Sequence, residues 1–240
     1  MKDNSDHGAK SIMLVVALNI LMCLSTLPTR GQQTNRQTLT RDDFIQIRDA
    51  LRRGGYREAA KVKGHYVGDF DPHWCFGLFD IESLTKNSVA VVVGVATRAL
   101  PSRLAANGQL IVTDYEISVR ETIKGKVSAS GKIKVSLPGG KMEFEDGTSA
   151  ELRTPQFEQI KVRQTYTLFL TEDQTEPGVF TLTGGPQGVV EIATDGASVK
   201  SYGRPTDPVF EEVKELDAES FLHLVRSQGK KWPQPGKCCS

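Results

Sequence analysis

Residues 88–98 read SVAVVVGVATR and residues 109–123 read QLIVTDYEISVRETI. The first is an unbroken apolar run of strand length, which predicts a central strand covered on both faces. In the second, Thr113, Tyr115, Ile117 and Val119 alternate with Asp114, Glu116, Ser118 and Arg120. A period of two predicts a strand with one buried and one wet face, and it places Asp114 and Glu116 in water. Downstream, Ile133, Val135 and Leu137 alternate with Lys132, Lys134 and Ser136, and Pro138-Gly139-Gly140 turns the chain. Residues 142–144 and 150–152 flank Asp146-Gly147, a dipeptide that tolerates the positive φ of a tight hairpin. Tyr166, Leu168 and Leu170 start another alternating strand. Residues 179–183 and 188–194 flank a Gly-Gly-Pro turn, and Asp195-Gly196 leads into residues 198–202. This pattern predicts a mainly β domain at residues 85–203, a β-barrel or sandwich of about eight short antiparallel strands. Helices do not alternate with these strands, which argues against a parallel α/β sheet.

Short helices are expected at both ends of that domain. Upstream, Thr40 reads as an N-cap with Asp42 and Asp43 in the first turn, where the helix dipole favours carboxylates. Phe44, Ile47 and Leu51 follow at i, i+3 and i+7, one apolar stripe that should end at Gly54-Gly55. A shorter helical piece at 56–62 completes a helical hairpin, and a loop extends this region over 40–84. Downstream, Asp207-Pro208 forms an N-cap and N1 pair before Val209, Val213 and Leu216. Asp217 caps a second helix with Ala218, Phe221, Leu222 and Val225, so that C-terminal helices occupy 204–228. The tail at 229–240 is basic, Pro-rich and loose. Residues 41–63 hold seven basic and four acidic side chains, whereas 207–219 hold six acidic and one basic. That asymmetry raises the expectation that the terminal helices dock beside one another.

The address is read from the first 30 residues. Lys2 and Lys10 precede a nearly continuous apolar run at 12–27, which Pro28 ends. A basic start followed by such a core is an export signal, either a signal peptide or an N-terminal membrane anchor at 1–30. A polar linker at 31–39 follows. The expected location is extracytoplasmic, periplasmic or secreted, with membrane contact only through the N-terminal segment. Residues 31–240 carry 27 basic and 27 acidic side chains. That balance lacks the basic footprint nucleic acid requires. Gly and Pro together are 33 of 240 residues, enough to favour many turns over long helices. Outside the leader the disulfide candidates are Cys75, Cys238 and Cys239. In an oxidising compartment Cys75 can pair with either terminal cysteine, leaving one thiol over, available for an intermolecular bridge or simply free.

Chemistry-bearing residues gather in residues 64–80, GHYVGDFDPHWCFGLFD. His65, Asp69, Asp71 and His73 are a candidate set for a divalent metal, since neutral imidazoles and carboxylates are suitable ligands. Their spacing matches no H-E-x-x-H, C-x-x-C or EF-hand signature, because Trp74 stands where an EF-hand loop needs glycine. The plainer reading is a connecting loop whose Trp74, Phe76 and Phe79 plug the bottom of the barrel. No G-x-S-x-G elbow, Walker loop or dinucleotide fingerprint occurs, and His223 falls on the last helix as a surface residue.

Taken together, VVVGVA at 91–96, TDYEISVRETIKG at 113–125, IKVSLPGG at 133–140, YTLFL at 166–170 and GPQGVVEI at 185–192 resemble a broad group of bacterial exported β-proteins. The resemblance implies export and a β-domain over roughly 85–195 and carries no catalytic residues with it. The strand–glycine–strand opening is also loosely similar to the netrin or tissue-inhibitor module, an OB-like barrel that binds proteins. This chain lacks that module's N-terminal cysteine and disulfide ladder, so only the barrel is implied. The expected function is an exported, non-enzymatic binding or envelope-associated module without a cofactor, its partner a protein or envelope component. Loops 98–108 and 153–164 and the 64–80 segment are its expected contact surfaces. The alternatives are a metal-assisted hydrolase using the His65–His73 loop, and a structural surface protein cross-linked through Cys238 or Cys239.

Overall fold

In the computed structural model, residues 40–71, 77–105, 108–127, 130–155 and 157–233 are described. The apolar run does form the central strand. β2 (Ala90–Ala99) is hydrogen-bonded on both edges, antiparallel to β4 (Ile111–Lys124) on one and to β8 (Thr165–Glu172) on the other. Val92 and Ala96 point into one core with Tyr115, Ile117 and Leu168, while Val91 and Val93 join a second with Phe169 and Val190. Two covered faces leave no place for a polar residue, which is why the run is unbroken.

From β4 the sheet continues to β5 (Lys132–Pro138), antiparallel, and then to β9 (Val179–Leu182), parallel. β9 pairs in turn with the C-terminal half of β8. The five strands β2-β4-β5-β9-β8 therefore close on themselves. Counted along the chain within the barrel, the order is 1-2-3-5-4 with the third and fifth strands parallel, the order of an OB-type barrel. The expected mainly β class with helices at both ends holds, and the barrel alternative is the one adopted. The N-terminal half of β8 pairs with β10 (Val189–Ile192), which carries β11 (Val199–Ser201) outward. A 3-10 turn, Gly185–Gly188, makes the step from β9 to β10. Its buried Gln187 accepts from Phe79 N–H at 2.9 Å and donates to Gly77 C=O at 2.8 Å, fixing the incoming chain.

A second sheet, in the order β1-β7-β6, combines β1 (His65–Asp69), β6 (Gly140–Glu143) and β7 (Ser149–Arg153). β1 lies where the sequence suggested loop, and it runs parallel to β7. The barrel passes into this sheet at Gly139 and Gly140, with φ 113° and 130°. A Cβ at Gly140 would stand 2.1 Å from Ser102 Oγ, so both the angle and the space demand glycine. Asp146-Gly147 makes the expected turn between β6 and β7, with Gly147 at φ 78°.

The N-terminal helix α1 (Arg41–Lys63) opens on a capping box between Thr40 and Asp43 and breaks at Gly54 and Gly55. An ion pair of 2.8 Å between Lys63 and Asp43 ties its end to its beginning, so the expected helical hairpin forms. Ile47 is buried, but Phe44 leaves the expected stripe and is 67% exposed. The hairpin packs on the second sheet through a third cluster with Ala60, Tyr56, Phe144 and Leu152. The helices α2 (Ile81–Asn87), α3 (Pro208–Val213) and α4 (Ala218–Lys231) instead cover the outer face of the barrel through the second cluster. The oppositely charged ends thus belong to different cores, and the expected side-by-side docking does not occur. The acidic α3 is used otherwise: Glu212 accepts from Ile81 N–H at 2.8 Å, placing a carboxylate where the dipole of α2 favours one. Phe79 packs in this outer layer and not at the bottom of the barrel. Among the described residues no helix is long and apolar enough to cross a membrane.

Candidate functional site

At one end of the barrel, β4 and β5 meet two loops. One follows β2 and carries the short strand β3 (Arg103–Leu104), which pairs with β4. The other joins β8 to β9. Between them opens a cleft of about 380 Å³. Its floor is apolar, with Leu110, Val112, Leu137, Phe157 and Leu182, and Phe70 and Pro186 stand at its sides. Ser136, Thr171, Thr175 and Thr181 supply hydroxyls, and Asp173 and Glu176 supply the charges among the described lining residues.

The two loops are stapled by Arg103. Its Nε donates to Asp114 Oδ2 at 2.8 Å and its Nη2 to Oδ1 at 3.1 Å, a forked pair of charge-assisted bonds. Its Nη1 reaches across to Glu176 Oε1 at 2.8 Å. Asp114 is 2% exposed and also accepts from Ser136 Oγ. Burial pushes its carboxyl up, but the hydrogen bonds from Arg103 and Ser136 outweigh that and hold it below the usual aspartate value. Hydrogen bonds to Asp114 and Glu176 push the Arg103 guanidinium further up, so it stays charged. In the β8–β9 loop, Asp173 Oδ1 accepts from Thr175 N–H at 2.7 Å and from Glu176 N–H at 3.1 Å. Such a turn presents Glu176 to Arg103 in one orientation.

The charges among the described lining residues are therefore committed inside the protein, and among those residues there is no histidine, cysteine or lysine. The arrangement offers an apolar surface with a rim of hydroxyls. A second, more open groove of about 490 Å³ lies beyond Phe157, which lines both. There Tyr115 OH donates to Gln159 Oε1 at 3.1 Å, and Gln159 Nε2 donates to Pro138 C=O at 3.1 Å.

The sequence-derived candidates lie elsewhere. His65 Nδ1 is 2.8 Å from Ser149 Oγ on the neighbouring strand. Asp69 ends the same strand, four residues on and so about 13 Å away along an extended chain. Asp71 pairs with Arg204. Among the described residues no three His, Cys, Asp or Glu side chains converge as a metal site. His73, Cys75, Cys238 and Cys239 lie outside the described residues, as do Trp74, Phe76, the leader and the linker. His223 is exposed on α4, as expected. Loop 98–108, expected as a contact surface, does border the cleft through Ala105. Loop 153–164 sends Phe157 and Ile160 into the barrel core, while Thr154, Pro155 and Gln159 line the second groove. Asp114 departs from expectation: its face of β4 is covered by Arg103 and not by water. No protein-family model matches the chain, and no curated protein matches it.

Proposed function

We propose that this chain is an exported, non-enzymatic binding module whose barrel mouth receives an apolar group of a protein or envelope partner. The observation that carries the reading is the cleft itself. It sits between the loops that follow the first and fourth barrel strands, over the second and third strands, where OB-type barrels hold their ligands. At about 380 Å³ it has the size of a small ligand pocket, with the usual apolar lining and few polar groups. Its two rim carboxylates, one paired with Arg103 and one folded into its own turn, make it a poor seat for a polyanion. Export rests on the apolar run at 12–27 behind Lys2 and Lys10.

Titration of the full chain with the neutral apolar fluorophore N-phenylnaphthylamine tests this reading. We expect saturable enhancement at one site. Thr181→Trp, which fills the cleft from a half-buried position, should remove it, while Thr97→Trp on an exposed position of β2 should leave it intact. A folded Thr181→Trp protein that binds the probe as well as the wild type would sink the proposal.

A further inference from the structure

The first half of α1 turns Ile47 and Ala50 inward. At 100° per residue, Arg41, Ile45, Arg48 and Arg52 then fall within one narrow stripe on the outward side. All four are exposed, and Phe44, on the flank of the stripe, is 67% exposed. Asp42 and Asp49 lie on the other flank. Arg48 touches Asp49 at 3.2 Å, an exposed neighbour contact of the kind that holds little. We propose that this face lies on an anionic lipid surface, with the arginines at headgroup level and Phe44 and Ile45 set between the lipids.

Arginines aligned with two large exposed apolar side chains are the composition of a helix that lies in a membrane interface. A nucleic acid would meet the same arginines but has no use for Phe44 and Ile45 beside them. The position in the chain agrees. Thr40, which caps the helix, comes 13 residues after Leu27, and 13 residues reach at most about 45 Å when fully extended. If residues 12–27 hold the chain to a bilayer, α1 never travels far from that surface. This second argument rests on the export reading, whereas the stripe does not. Three arginines at an anionic surface strengthen binding about 100-fold together, so the contact should vanish at high salt.

The test uses the full chain carrying Phe44→Trp, with wild-type emission subtracted to remove Trp74 and Trp232. Vesicles are made of phosphatidylcholine alone or mixed with phosphatidylglycerol. The expected result is a blue shift of the introduced indole, and its quenching by brominated lipid, on the anionic vesicles only, reversed by salt. The combined changes Arg41→Glu, Arg48→Glu and Arg52→Glu should abolish both signals while thermal melting and fluorophore binding in the cleft persist. Identical spectra of the introduced indole in buffer and on both vesicle types would overturn the proposal. So would a shift produced by duplex DNA and not by lipid. Flotation on neutral vesicles reports on residues 12–27 separately: flotation without an indole shift on anionic vesicles sinks the helix contact, and the shift without flotation removes only the anchor.

Discussion

Asp114 stands on the side of β4 that strict alternation assigns to water, and the structure buries it under Arg103. Alternation itself holds here, since Tyr115 and Ile117 enter the barrel core and the slips in the pairing with β2 lie further along, between Glu116 and Lys124. What covers Asp114 is the chain after β2, which folds back over its outer face, with Leu100 N–H bonded to Asp114 C=O at 2.8 Å. Removing one member of such a pair strands the other charge, which is costlier than never having had the pair. We expect Arg103→Met to lower stability by about 2–4 kcal/mol, measured by urea unfolding. Replacing both residues with apolar side chains should recover much of that loss. The pH dependence has a definite sign. Asp114 titrates below 3.8, the ordinary aspartate value, in the folded chain, so between the two values the unfolded chain binds more protons. The contribution is complete above the ordinary value and disappears as pH falls through the folded one. Subtracting the Asp114→Asn stability curve from the wild-type curve should leave a difference that is flat above about pH 5 and shrinks in acid. A pH-independent difference would mean that Asp114 is not held as a carboxylate.

Elements differed in how plainly their residues announced them. β2, β4, β5 and β8 each bury at least one alternating apolar set, and the period shows in the sequence. β1 does not: of HYVGD only Gly68 is buried, so the strand has no apolar face to reveal it. Closure of the barrel was equally silent, because β9 follows β8 as a hairpin in sequence while its parallel pairing with β5 arises only in three dimensions. The cleft was half legible. Of its two loops the sequence singled out 98–108 and not the one joining β8 to β9, and Arg103 finds its partners 11 and 73 residues away, a separation that no local pattern encodes. Phe157 was hidden for a different reason. It enters the core from a polar, irregular segment, with Ile160 three residues on and no strand beneath them. That segment covers the barrel end as a cap, and Phe157 is its main apolar contribution. Phe157→Ala should cost about 3–5 kcal/mol in denaturant unfolding. It should also join the cleft to the groove beyond, so that the variant accepts a bulkier apolar fluorophore than the wild type does. Unchanged stability would show that the cap is peripheral to the barrel core.

At the scale of the whole molecule, the three apolar clusters of the described residues share walls unequally. β2 and β8 each contribute side chains to the barrel interior and to the layer beneath α2, α3 and α4. Opening either layer exposes the same strands, so these two clusters should come apart together. Further links cross the second layer: Arg226 grips Glu121 with bonds of 2.8 and 2.7 Å, and the buried Lys124 donates to Thr85 C=O at 2.7 Å. The third cluster is smaller, and the hairpin enters it through Ala60 and the half-buried Tyr56. It reaches the barrel through Ile111 and the Gly139-Gly140 passage. Gly55 presses on this boundary, since a Cβ there would lie 2.2 Å from Gly108 C=O, but close backbone approach adds little apolar burial. Local openings follow such differences in buried contact. Native-state hydrogen exchange should therefore place the amides of β2 and β8 at the global unfolding free energy. The amides of α1 should exchange through a smaller opening with a shallower denaturant slope. If α1 instead matches β2 in both free energy and slope, the molecule unfolds as one unit. A separate opening would let the hairpin that carries the Arg41–Arg52 stripe leave its sheet without disturbing Arg103, Asp114 and Glu176, so that the proposed lipid contact and the proposed cleft ligand would act independently.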